Sequence, residues 1–184
     1  MKREQLEMFI NGRVDAWNKW RQKQPRVNVD FRGARFETQI NFPRGNLVGA
    51  NFAKVGLPGA NLASADLTDT ILEETDFDRN AGMPGAIFTR ANMKKSILVE
   101  ALLRFADFTE ADISGAILIG ATMEQAILTR ATLWRANLNG AKLKATILEG
   151  ANLKEAVLFG ADFEKARLVG ANFEKASLKY ARFS

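Results

Sequence analysis

The chain of 184 residues contains neither cysteine nor histidine. Without cysteine there is no disulfide, no thiolate metal site and no thiol nucleophile. Without histidine the commonest general base and the commonest metal ligand are both gone. Long hydrophobic runs are also missing: no stretch approaches the roughly 20 apolar residues of a membrane span. The opening MKREQLEMFI lacks the apolar core of a secretory signal. These absences predict a non-catalytic, cytoplasmic protein with no cofactor, no bound metal and no membrane partner.

An excess of charge is lacking over most of the chain as well. The net charge is +5, but residues 1–26 hold seven basic and three acidic groups, whereas the remaining 158 residues hold 19 and 18. The body is nearly neutral, without the basic stripe of a nucleic-acid binder, so no nucleic-acid partner is expected.

What is present is a period of five. In GANLKEAVLFGADFEKARLVGANFEKASL (residues 150–178), Ala recurs at every fifth place from Ala151 to Ala176, and Leu or Phe follows two places after each. From Met83 to Phe183 every fifth residue is Leu, Ile, Met or Phe. Phe42 to Phe77 repeats the pattern, and Phe31 and Phe36 begin it, giving 31 repeats in all. A helix would scatter such residues around its axis and a strand would alternate them between faces, so the period predicts a solenoid. Four units per turn close a coil of 20 residues, consistent with Leu at 98, 118, 138, 158 and 178. The large centres and the Ala residues face inward in about eight coils. Ten of the 14 glycines fall two places after a centre, where a tight corner favours positive φ. Asn or Asp often precedes the centre, as at Asn61, Asp66, Asn137, Asn152, Asp162 and Asn172, where the side chain can bond nearby backbone.

Units such as ANLKE, ADFEK and ANFEK resemble the A(D/N)LXX consensus of the pentapeptide-repeat family over about residues 29–184. Val55, Thr70, Thr75, Ser96 and Thr146 stand where that consensus has Ala. The resemblance implies an all-β solenoid, a right-handed quadrilateral β-helix, in a family common in bacteria and above all in cyanobacteria. It implies a rigid protein–protein interaction module. It also brings the alternative of a DNA mimic that binds and protects DNA gyrase, an activity needing a strongly negative body that the near-neutral composition does not supply.

The N-terminal segment reads as a capping α-helix over residues 1–26, followed by the β-helix over 27–184. Leu6, Phe9, Ile10, Val14, Trp17 and Trp20 recur at helical spacing, Gly12 interrupts the row so that two parts are conceivable, and Pro25 ends it. The competing reading is a membrane-surface helix, with Trp17 and Trp20 beside Lys19, Arg21, Lys23 and Arg26. No matching cap is legible at the other end. Leu168, Phe173, Leu178, Tyr180 and Phe183 are therefore a candidate dimer end, through which two copies join.

Three surface groups stand out. Asp66, Asp69, Glu73, Glu74, Asp76 and Asp78 form an acidic belt, expected to be solvated rather than a Ca²⁺ site. The stretch DRNAGMPG (residues 78–85) holds a one-residue insertion, expected to be a tolerated loop. Trp134 with Arg135, Lys94, Lys95, Lys154 and Lys175 shares a side with Asp112, Glu155 and Glu174, expected to be salt-bridged. The outward positions beside the Leu column are different: Ile97 and Val99, Ile117 and Ile119, and Val157 and Phe159 are apolar, interrupted by Asn137 and Asn139. They form the candidate partner face.

Overall fold

A computed structural model of the chain describes residues 3–77 and 79–183. Lys2 of the basic segment, Asp78 of the acidic belt and insertion, and Ser184 lie outside the described residues. The repeats form a solenoid. Its parallel bridges join residues 20 apart, as in Ile97 to Ile117 to Asn137 to Val157, and fall into four columns. The offset becomes 21 where one extra residue is accommodated, as from Asn61 to Gly82 and from Asp76 to Ile97. Register recovers at once: from Gly82 to Leu102 the offset is 20 again, and Asn80 (φ 62°) has the left-handed backbone common to the corners.

Pairing with the coils on either side satisfies most of each repeat's backbone. The Leu118 N–H donates to the Asn137 carbonyl in the next coil (2.7 Å), and the Ile117 N–H donates to the Ser96 carbonyl in the previous one (2.9 Å). The Gly120 N–H donates to the Asn139 carbonyl, and the Ala121 N–H closes the corner on the Leu118 carbonyl (3.0 Å). In the repeats that carry an Asx before the centre, its side chain accepts the N–H of the position after the centre. Asn61, Asp66, Asn137, Asn152, Asp162 and Asn172 all do so through Oδ1, at 2.9–3.2 Å. The Asx residues thus complete the hydrogen bonding that the coil pairing leaves open.

The centres fill the core. Leu98, Leu118, Leu138 and Leu158 stack in one column and are wholly buried, and the small residue two places before each, Ser96, Ala116, Ala136 or Ala156, is buried beside them. Phe88 and Phe108, one coil apart, stack with ring centroids 4.9 Å apart. Val55, Thr70, Thr75, Ser96 and Thr146 occupy the small inward position and are buried. The Thr70 and Thr146 hydroxyls donate to the carbonyls of Leu67 and Leu143, and that of Thr75 to Phe52. The Ser96 hydroxyl has no partner.

The N-terminal segment is two helices rather than the single capping helix expected: α1 over Arg3–Ile10 and α2 over Val14–Lys23. Gly12 sits between them at φ 62°, a left-handed conformation that ends α1. The fold back lets Phe9 and Trp17 meet over the first coil. Phe9 lies 4.5 Å from Phe31 and 4.9 Å from Phe42 between ring centroids, and Trp17 meets Phe42 edge-on at 5.6 Å. The Trp17 indole N–H donates to the Asn46 carbonyl (2.7 Å). This packing overturns the membrane-surface reading. Trp17 is wholly buried, and Arg21 is only 3% exposed, its guanidinium donating to the carbonyls of Val27 and Val48.

Candidate interaction surfaces

The solenoid positions every outward side chain by its place relative to a centre. Residues immediately before and after a centre point away from the core, and those two places after it stand at a corner. The corners share one backbone conformation whatever the residue: Lys95, Glu100, Phe105, Arg135 and Glu155 all have φ between 54° and 60°.

Ile97, Val99, Ile117, Ile119, Val157 and Phe159 come together on one side, at the first, second and fourth of four successive rungs of one bridge column. Ile97, Val99 and Ile117 are half-buried, while Ile119 (38%) and Phe159 (47%) are exposed. Asn137 and Asn139 supply the third rung, and the Asn139 Oδ1 has no hydrogen-bond donor. Beside this side the corner residues are Glu100, Gly120, Gly140 and Gly160. Around that corner lie two exposed apolar residues outside the expected patch, Leu102 and Phe105, the latter with the Arg104 guanidinium 5.7 Å from its ring centre. The signal for both was present in their offsets from Leu103.

The candidate dimer end is the coil of residues 163–183. Leu168, Phe173 and Leu178 are half-buried, whereas their counterparts in earlier coils are wholly buried, and Phe183 and Tyr180 are exposed. The Phe183 ring stacks on Phe163 at 5.0 Å, and the Tyr180 ring meets Phe159 edge-on at 5.1 Å. Tyr180 therefore adjoins the apolar side as well as the end.

The charged surface is laced from coil to coil. Lys94 pairs with Asp112 (3.0 Å), Arg135 with Glu155 (2.7 Å) and Lys154 with Glu174 (3.0 Å), and the Arg135 guanidinium lies 4.4 Å from the Trp134 ring centre. Two members of the acidic belt are partnered in the same way: Asp69 pairs with Arg90 and Glu74 lies between Lys54 and Lys95. The hydrogen bonds from Arg90 and Arg135 hold the carboxyls of Asp69 and Glu155 below the usual range. Among the described residues no group of three acids converges as a metal site, and no helix is long and apolar enough to cross a membrane.

A family model described as pentapeptide repeats matches in eight copies, over residues 46–79, 86–125, 106–144, 126–162, 136–174 and 156–184. Three solved structures illustrate the likeness. HetL, a pentapeptide repeat protein involved in heterocyst differentiation regulation from the cyanobacterium Nostoc sp., is 23% identical over 89% of this chain and 94% of its own, with a TM-score of 0.38. A pentapeptide repeat protein of the Arabidopsis thaliana thylakoid lumen is 28% identical over 61% and 67%, with a TM-score of 0.33. QnrB1, a plasmid-mediated fluoroquinolone resistance protein, is 17% identical over 78% and 89%, with a TM-score of 0.31. No curated protein sequence matches the chain.

Proposed function

The chain belongs to the pentapeptide-repeat family, and from that premise we propose that it is a non-catalytic protein–protein interaction module. In this reading residues 27–184 are a rigid right-handed β-helix of square section and about eight coils, and residues 1–26 cap it. The contact surface is the side carrying Ile97, Val99, Ile117, Ile119, Val157 and Phe159. The observation that carries the reading is that these residues occupy three of four consecutive rungs on one outward face, and that the remaining rung is uncharged. Outward positions on other sides include cross-coil ion pairs such as Lys94 with Asp112, Lys144 with Glu164 and Lys154 with Glu174. An exposed apolar patch of a few hundred Å² is in the range that marks contact sites. The coil containing Leu168, Phe173, Leu178, Tyr180 and Phe183 is a second contact surface, at which two copies meet end to end.

DNA mimicry is the weaker reading, because duplex mimicry calls for a continuous negative surface and here basic and acidic side chains alternate along the coils. The interaction reading is tested with the double variant Ile117→Lys, Ile119→Lys. Neither side chain enters the core, so circular dichroism should be unchanged. Capture of a partner protein from the source cell by the wild type, lost in the variant, is the expected result. Capture that survives the double change would reject this side as the contact surface. For the terminal coil, Phe183→Asp should abolish end-to-end pairs in sedimentation.

A further inference from the structure

The apolar side is built to match itself. Its four rungs are Ile97 with Val99, Ile117 with Ile119, Asn137 with Asn139, and Val157 with Phe159, and none carries a charge. With coils about 4.8 Å apart they extend about 14 Å. The patch is bounded by the rungs of Asp76 and Lys179. One border is formed by the corner residues Lys95, Gly115, Arg135, Glu155 and Lys175, the other by Glu100, Gly120, Gly140, Gly160 and Tyr180.

We propose that this side packs against the same side of a second copy, the two solenoids lying alongside one another with like ends together. The proposal rests on the reading of this side as a contact surface and names its occupant. In a symmetric pair each copy offers the same patch. A two-fold axis parallel to the solenoid, over the Leu98, Leu118, Leu138 and Leu158 column, exchanges the two borders within each rung. Lys95 then faces Glu100 of the second copy. Arg135 and Glu155 lie opposite glycines 140 and 160, where a Cβ would meet nothing within 4 Å, so the large border residues have room. Lys175 faces Tyr180 of the second copy, whose ring already carries its own Lys179 at 5.0 Å, so this rung closes the patch. The apolar rungs meet apolar rungs.

The Asn rung decides between self and non-self in the same direction. A charged rung would meet its own sign across a two-fold axis. An amide both donates and accepts, so Asn137 and Asn139 can pair with their own copies, and the Asn139 Oδ1, which lacks a donor, gains one by rotation of its amide. The opposite orientation, with unlike ends together, superposes border on the same border and reverses the rungs. With the four rungs superposed it sets Ile117 and Ile119 against Asn137 and Asn139 of the second copy, so the amides meet apolar side chains that can neither donate nor accept. Matching of each rung to itself therefore selects the aligned pair. The patch is smaller than a stable interface of standard size, so the association is reversible and depends on concentration.

The test is sedimentation of the full-length protein across a concentration series, with circular dichroism to check folding. The wild type should dimerise as concentration rises. Ile119→Lys should abolish the dimer. Lys95→Glu places two acids together and Glu100→Lys places two bases together, and each should raise the dissociation constant about tenfold. The combined charge swap should restore wild-type affinity. Phe183→Asp should leave this dimer intact. Failure of the swap to restore affinity would overturn the aligned arrangement, and so would a Phe183→Asp protein that stays monomeric at every concentration or whose dimer survives Ile119→Lys. A wild type that is monomeric at every concentration would overturn the proposal too. Partner capture that still requires Ile117 and Ile119 would then leave the interaction reading standing without it.

Discussion

The hydroxyl of Ser96 occupies a slot that most repeats fill with the methyl of Ala, and it is wholly buried without a partner. Thr70 and Thr146 escape that cost by donating within their own corner. Ser96→Ala should therefore raise stability by about 1 kcal/mol in denaturant unfolding, since an unsatisfied buried polar group is removed and no contact is lost. Gly140 is the reverse case. Its φ is 64°, and a Cβ there would meet nothing, so Gly140→Ala costs only the left-handed backbone penalty, about 1 kcal/mol. Acid acts at the same scale. Hydrogen bonds from the Arg32 guanidinium hold the Asp30 carboxyl at about 2. Arg90, Arg135 and Lys144 likewise lower Asp69, Glu155 and Glu164. Each folded value lies below its unfolded value near 4, so the stabilisation is full above about pH 4 and is lost as the pH falls towards 2. The denaturant midpoint should drop across that window, and Asp30→Asn should flatten part of the drop.

At the scale of elements, the helical cap and the repeats were unequally legible in the sequence. A repeat places its residues by translation, so one rule located the buried centres, the inward Ala column, the Asx acceptors and the outward pairs from Ile97 to Phe159. The cap obeys no such rule. Its row of apolar residues announced a helix and Gly12 marked where it could break, but the fold-back of α2 and the burial of Arg21 depend on how α1 and α2 pack over Phe31 and Phe42, contacts that occur once. Leu102 and Phe105 were missed for another reason: they lie around the corner from the side that drew attention. The cap also carries its own prediction. Phe9 and Trp17 are wholly buried against the first coil, so Phe9→Ala or Trp17→Ala should each cost about 3–5 kcal/mol, read as a lowered denaturation midpoint. Trp17→Ala also strands the Asn46 carbonyl that its indole satisfies.

For the whole molecule, the parallel pairing of residues 20 apart has a mechanical meaning. A rod pulled by its two ends is loaded so that one coil peels from the next, a few hydrogen bonds at a time. Each released coil frees 20 residues, about 65–70 Å of extended chain. The described C-terminal coil has half-exposed centres, whereas the first is clamped by Phe9 and Trp17, so peeling should begin at the C-terminal side. An optical trap should then record a staircase of nearly equal steps, with the last and strongest event belonging to the coil under the helices. The rod would behave as a ratchet of identical teeth, shortening in units set by the repeat rather than giving way at once.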